Sequence, residues 1–274
     1  MPTIGKTVED AVRIFSRAVY PMGLTPQTAW LGIYQGLLWY EPVKLGHYTS
    51  LPHIIDADKL RPSKSRRTKR QPFKPSAWQR RAEASERYIA GQLGCPTDQV
   101  QPIVDRLMRT PRYAGLQRQN SLGIAFIGVV RHILQTFGSS QLTYEMEVNA
   151  ASVFPGITMP GRSTSPSIDI LIHKDGFPRA IVSAKWSLRH DRINDITNEC
   201  PIYKAASMRS RKPLDFYVVS NEFDPARLSK VLADDCIDGL AHVHKPLVTV
   251  VCGLNGRLDT MLDLSDLIEA TKSL

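Results

Sequence analysis

The strongest apolar helical pattern in the chain falls at residues 121–137. Leu122, Ile124, Phe126, Ile127, Val129, Val130, Ile133 and Leu134 place apolar groups nearly all round a helix. Such a helix has to be covered, so it is expected to pack against a central sheet. Residues 141–149 then alternate apolar and polar, as a half-buried strand does. Residues 154–165 are rich in Gly, Pro and Ser and read as a loop. Next comes an apolar run bounded by Pro166 and Lys174 that alternates poorly, the mark of a strand buried on both sides. Asp175-Gly176 is a hairpin signal, and a second apolar strand comes after it at 180–184. Further on the pattern predicts a helix over 192–208 interrupted near Pro201 and a strand over 215–220. A helix beginning over 225–232, with continuation past Ile237 left open, a strand over 247–252 and a closing helix over 264–272 complete the series. The order is α–β–ββ–α–β–α–β–α. It predicts an α/β fold, a mixed central sheet flanked by helices.

The first part of the chain is patterned differently. Residues 7–20 carry Val8, Val12, Phe15 and Val19 at helical spacing, with Thr7 and Asp10 as a capping box and Pro21 at the end. A second helix is expected from about 25 to 40. Its Trp30, Tyr34, Trp39 and Tyr40 suit a core or a partner surface better than a base-stacking platform. Two more helices are expected at 76–92, capped by Ser76, and at 97–109, capped by Thr97. Between them and the earlier pair, residues 41–76 are irregular and hold Pro42, Pro52, Pro62, Pro72 and Pro75. The chain therefore divides into a mostly helical N-terminal region, 1–115, and a sheet-containing core, 116–274.

Charge changes the picture in one interval. The chain of 274 residues has a formal charge of +9. No acid lies between Asp58 and Glu83, and that interval holds Lys59, Arg61, Lys64, Arg66, Arg67, Lys69, Arg70, Lys74, Arg80 and Arg81. A run of this kind is ordinarily a solvated loop. In a basic protein it is also a candidate arm for a phosphate backbone, giving affinity rather than sequence discrimination. Nucleic acid is the expected partner, since no amphipathic anchor stands out and no apolar run approaches about eighteen residues. The first residues lack the apolar core of a signal peptide. Cys95, Cys200, Cys236 and Cys252 show no CxxC spacing and are expected to be free thiols of a cytoplasmic protein.

The candidate chemistry lies between residues 167 and 199. Asp169 and Lys185 are lone charges on two neighbouring apolar strands, and such charges are costly unless paired or bound to an ion. A structural salt bridge at a sheet edge accounts for the pair equally well. The residues beyond Lys185 shift that balance. Ser187, Arg189, Asp191 and Arg192 come within seven residues of the lysine, and Glu199 lies fourteen past it. Phosphodiester hydrolysis needs a cation that neutralises developing charge and holds a water in line. Mg²⁺ takes hard oxygen ligands, typically one or two carboxylates, and Asp169 is the first candidate. Arginine pairs bidentately with guanine and a carboxylate accepts from cytosine N4, so Arg189, Asp191 and Arg192 suit G·C pairs. In isolation those three would be read as the solvated start of a helix.

The spacing of Ser183, Lys185, Ser187, Arg189, Asp191, Arg192 and Glu199 resembles type II restriction endonucleases of the PD-(D/E)XK fold, in particular the group that reads a CCGG core. The resemblance covers roughly residues 165–200. It implies a restriction-endonuclease-like core, Mg²⁺ as cofactor, and a homodimer on double-stranded DNA. A cognate DNA methyltransferase in the host is implied as well. It also implies that the acid usually found two residues before the lysine, where Ser183 stands, has moved to Glu199. The Ala184 carbonyl is implied as a further metal ligand, and Lys185 as the group that orients or deprotonates the attacking water. The expected site thus comprises Asp169, Ser183, Lys185 and Glu199 for catalysis, with metal on Asp169, Ala184 and Glu199. Ser187, Arg189, Asp191, Arg192, Arg66, Arg67, Lys69 and Arg70 are the expected DNA contacts. Glu86, Glu145 and Glu147 are candidates for a third acid. The expected target is a palindrome with a CCGG core, with ACCGGT as the candidate full site. Two other readings are a structure-selective or repair nuclease of the same fold and a non-catalytic DNA-binding protein. A structure-selective enzyme has no need of base-edge groups beside its lysine. A binding protein has no need of Asp, Lys and Glu around one strand end.

Overall fold

A helical pattern gives way to an alternating one at residue 138, and the junction is built on a glycine. In the computed structural model, which describes residues 25–33, 84, 87, 88, 91, 92, 119–160, 165–252 and 256–274, helix α1 spans Gln119–Phe137. A Cβ on Gly138 would lie 2.1 Å from the Tyr144 hydroxyl. Only glycine lets that ring close over the helix end. Strand β1, Leu142–Asn149, comes next, and Asn149 caps the short helix α2, Ala150–Val153, by accepting from Ala151 N.

Strands β2, Ser167–Lys174, and β3, Phe177–Lys185, form the expected hairpin. Asp175 and Gly176 both take positive φ, 53° and 76°. That pair of left-handed residues is the type I′ turn, whose twist matches the strands it joins. β1, β2 and β3 are antiparallel neighbours. From β3 onward the sheet is parallel. Helix α3, His190–Arg209, leads to β4, Asp215–Ser220, and helix α4, Pro225–Leu232, leads to β5, Gly239–His242. Helix α5, Lys245–Cys252, and a 3₁₀ turn, Gly256–Thr260, lead to β6, Leu262–Asp263, and helix α6, Leu264–Lys272, closes the series. The strand order is β1-β2-β3-β4-β5-β6, one six-stranded mixed sheet.

Helices cover both faces. α1 packs on β1, β2 and β3 and touches α6, which lies on β5 and β6. α3 packs on β3 and β4 and touches α4. Pleating separates the two layers: Tyr203 of α3 stacks near Phe216, whose partner across β3 is Ile181. The residues alternating with Ile181, such as Ala180 and Val182, turn to the α1 side and are fully buried. The α/β class with a mixed sheet between helices is thus as expected.

The pattern reading is corrected at residues 247–252 and refined at two helices. Residues 247–252 form helix α5, not a strand. Pro246 sits in its first turn, where its missing N–H has no helical partner to lose. Leu247 and Val248 are buried while Val250 is exposed, a helical rather than an alternating pattern. The strands taken up instead, β5 and β6, are short and carry no period of their own. α4 spans the expected 225–232 and does not run on past Ile237, because Asp234 turns the chain by accepting from Cys236 N. α3 continues through Pro201, which faces solvent.

The expected free thiols are corrected for one pair. Cys200 of α3 and Cys236, between α4 and β5, are joined as a disulfide, while Cys252 stays a thiol and donates to Phe223 O at 3.2 Å. The disulfide's sequence separation of 36 residues hides a Cα–Cα distance of 6.2 Å, created by folding α4 back on α3. Cys95, the helices expected at 7–20 and 97–109, and the basic interval lie outside the described residues. Helical backbone is described at 29–33 and at 84, 87, 88, 91 and 92, within two stretches expected to be helical. Among the described residues no helix is long and apolar enough to cross a membrane.

The N-terminal residues meet the core at His244. Trp30 stacks on its ring at 3.7 Å, and Tyr88 Oη lies 2.9 Å from its Nε2. His242, fully buried, accepts the His244 N–H on Nδ1 at 2.9 Å, so its own proton stands on Nε2. Burial pushes His242 down to about 3 and His244 to about 4.

Two outcomes are expected from this architecture. Reducing the disulfide should lower unfolding stability by about 4 kcal/mol on the loop-entropy relation. Urea denaturation with and without dithiothreitol measures it, and coincident curves would show that the cross-link does not stabilise the fold. Both histidines are less basic folded than unfolded, so the unfolded chain binds more protons at mildly acidic pH. Their contribution is complete above about pH 6.5 and is lost as pH falls towards 4 and then 3. His244→Phe should flatten the urea midpoint against pH between those limits; an equally steep curve would assign the acid loss to other groups.

Candidate functional site

Asp169 stands just past the last paired position of the β2–β3 ladder, Ile170 opposite Val182. Continuing that register sets Ser183 opposite Asp169 and Lys185 diagonal to it, all on one face of the sheet. Three donors converge on Asp169 Oδ2. Lys185 Nζ donates at 2.6 Å, Ala184 N at 2.9 Å and Ser183 Oγ at 3.2 Å. The Asp169 and Lys185 side chains are 10% and 18% exposed, so the pair is largely desolvated. The two strands part at this point, and the carboxylate takes the Ala184 N–H that a continuing ladder would have used. The hairpin read from the sequence anticipated the meeting of Asp169 and Lys185, while the Ser183 and Ala184 donors to Asp169 are seen only in the structure.

The segment after Lys185 is anchored residue by residue. Lys185 pairs with Ser220 across the parallel β3–β4 register. Trp186 O accepts from Asn221 N at 3.2 Å, and its ring meets Phe126 of α1 edge-on at 5.3 Å. Ser187 is half-buried and Leu188 is fully buried. Arg189 is the extended N-cap residue of α3, and Asp191 and Arg192 lie in the exposed first turn. Arg189 Nη2 donates to Asp191 Oδ2 at 3.0 Å. Both groups are more than half exposed, so the bond is worth little and opens readily to another partner.

Glu199 lies further along α3 and is half-buried. Tyr203 Oη, one turn on, donates to Glu199 Oε2 at 3.4 Å. Since Tyr203 stacks by Phe216, Glu199 is on the side of the sheet from which Ser183 and Lys185 project. A hard divalent cation takes oxygen ligands, and Asp169, Glu199 and the Ala184 carbonyl are donors of that type. Among the described residues, no group of three or more His, Cys, Asp or Glu is arranged to hold a metal ion.

Of the candidate third acids, Glu145 pairs with His173 at 3.6 Å and Glu86 lies outside the described residues. Glu147 is unusual. It has φ 52° inside β1, at the position that the register leaves unpaired opposite Asp169. A left-handed non-glycine residue in a strand is strained, and strain of this kind gathers at functional sites. Arg66, Arg67, Lys69 and Arg70 lie outside the described residues.

Sequence reasoning missed the rest of this sheet edge. In successive register Lys185, Ser220, His242 and Asp263 end β3, β4, β5 and β6 in a row. Ligands of parallel sheets bind outside such carboxyl ends. It also missed Glu222, whose only sequence signal is an acid two residues past the apolar strand β4. The chain matches no protein-family profile and no curated protein sequence.

The Asp169 cluster predicts its own stability effect. Asp169→Ala removes the acceptor of three bonds and strands a largely buried ammonium, so it should destabilise by about 2–3 kcal/mol. Lys185→Met leaves the carboxylate two donors and should cost less. Chemical denaturation of both variants measures the difference, and equal losses would show that Lys185 carries the whole effect.

Proposed function

We propose that the protein is a Mg²⁺-dependent, site-specific endonuclease of double-stranded DNA that cuts a palindrome with a CCGG core. The observation that carries this reading is the 2.6 Å Lys185–Asp169 contact beside Ser183, with an exposed Arg-x-Asp-Arg turn four residues on. A mixed sheet between two helical layers, with the pair at a strand end, is in keeping with the restriction-endonuclease-like core that the sequence resemblance implies.

In this reading Asp169 and Glu199 hold the cation, with the Ala184 carbonyl beside them. When bound, Mg²⁺ supplies charge neutralisation at the scissile phosphate. Lys185, hydrogen-bonded to Asp169, orients the attacking water and offsets charge on the phosphate. Ser183, where the fold's ordinary motif has an acid, donates to Asp169 and fixes its carboxylate. Arg189, Asp191 and Arg192 read G·C pairs in the major groove, with Ser187 beside them. One chain offers one Lys185 and one reader, so a two-fold homodimer covers both strands of the palindrome. Arg66, Arg67, Lys69 and Arg70 add phosphate contacts.

Incubation with plasmid and Mg²⁺, followed by sequencing of the ends, tests the reading. Ends confined to CCGG-containing sites are expected. Asp169→Ala, Lys185→Ala and Glu199→Ala should each lower cleavage by several orders of magnitude while duplex binding persists. Arg189→Ala and Arg192→Ala should each lose about 1–3 kcal/mol of discrimination between CCGG and scrambled duplexes. Random ends would favour a structure-selective nuclease, and binding without cleavage a DNA-binding protein. Normal cutting by Glu199→Ala would remove Glu199 from the metal site.

A further inference from the structure

The Glu222 carboxylate accepts from four donors, and the residue lies just past the strand that pairs with Lys185. Its side chain is 2% exposed. Oε1 accepts from Phe223 N at 3.0 Å and Asp224 N at 2.9 Å. Oε2 accepts from Arg227 Nη1 at 3.0 Å and from Leu188 N at 2.9 Å. Three of these donors belong to the turn into α4, and Asp224 Oδ2 lies 3.8 Å from Arg227 Nε in the same turn. The fourth donor, Leu188 N, is thirty-four residues away in sequence. A local turn has no need of it.

Leu188 sits midway between Lys185 and the first turn of α3. The backbone from 186 to 188 makes two contacts with the segment after β4: Trp186 O with Asn221 N, and Leu188 N with Glu222. Glu222 N is itself held by Ser220 Oγ at 3.2 Å, and Ser220 is the register partner of Lys185. The chain from Lys185 to Arg189 is thereby pinned to the same strand end twice. A buried carboxylate with every lone-pair direction filled by fixed donors is a rigid support, and it has one geometry.

We propose that Glu222 is a positioning residue that holds the reader turn, Arg189 to Arg192, in a fixed relation to Lys185. Sequence reading at the start of α3 is transmitted to the reacting end of β3 through the Leu188 N–H. Glu222 touches neither DNA nor metal in this scheme. The inference rests on the endonuclease reading, and it adds a residue from the end of β4 to a site otherwise drawn from β2, β3 and α3.

Glu222→Gln keeps the shape but leaves one acceptor oxygen for four donors, so one side of the support is broken. The variant should retain its circular dichroism and bind a CCGG duplex with KM within about threefold of wild type, while kcat falls by about 30-fold or more. Hydrogen exchange at the Leu188 amide should speed up about tenfold in the same protein without DNA. A structural role alone would lower the melting temperature and leave kcat, measured well below it, unchanged. If Glu222→Gln does not fold, Arg227→Gln takes its place: losing one support of Oε2 should lower kcat about fivefold at unchanged KM. Unchanged kcat in the variant that folds overturns the inference, whatever the exchange rate. Failure of wild type to cut any DNA overturns the endonuclease reading instead, so the two failures are distinct.

Discussion

A carboxylate inside an apolar sheet has to be given donors, and two such carboxylates organise the described part of this chain. Asp169 lies where β2 and β3 part, and Glu222 lies just past the end of β4. Asp169 gathers Ser183, Ala184 and Lys185 on one oxygen. Glu222 gathers the turn into α4 and the amide of Leu188. Between them they hold both ends of the segment from Lys185 to Leu188. Removing either would leave donors stranded away from water, which costs more than the bonds themselves contribute. The geometry around Lys185 is therefore set by the need to satisfy buried charge, and apolar packing alone would not specify it.

The change from antiparallel to parallel pairing at β3 gives that segment its exposure. A hairpin would have turned the chain back at Lys185. Instead the chain leaves the sheet, crosses as α3 and returns as β4, so the carboxyl end of β3 opens onto a helix start. α3 then carries two kinds of group. Its first turn presents Arg189, Asp191 and Arg192 to solvent, while further along Glu199 and Tyr203 are half-buried and buried against the face from which Lys185 projects. One rigid helix thus links the exposed reader candidates to a carboxylate on the site's side of the sheet. The Cys200–Cys236 cross-link ties the same helix, at the residue after Glu199, to the approach to β5.

The far half of the parallel edge serves a different purpose. His242 and His244 are buried there, held neutral by the cost of charging them away from water. His244 is also where Trp30 and Tyr88 meet the core. The edge that ends with Lys185 at one side thus anchors residues of the N-terminal region at the other.

Much of this was legible from the residues in order. The apolar run of α1, the Asp175-Gly176 turn, the strand Asp215–Ser220 and the helix Leu264–Lys272 are local patterns, and local sterics and periodicity decide such elements. The meeting of Asp169 and Lys185 was legible too, because a hairpin of known turn fixes which residues oppose each other. What the residues in order could not decide is everything that depends on distant partners. Leu247 to Val251 has strand-like composition and became a helix, since Pro246 begins a turn and one face is buried. β5 and β6 are too short to show a period and exist because a neighbouring strand accepts them. Cys200 and Cys236 meet only when α4 folds onto α3. Glu222 looks like an ordinary loop acid until β4 is set beside β3, and then it takes the Leu188 amide. Pairing across a sheet, and the burial that makes a charge expensive, belong to the tertiary structure because they depend on residues that the chain brings together only by folding.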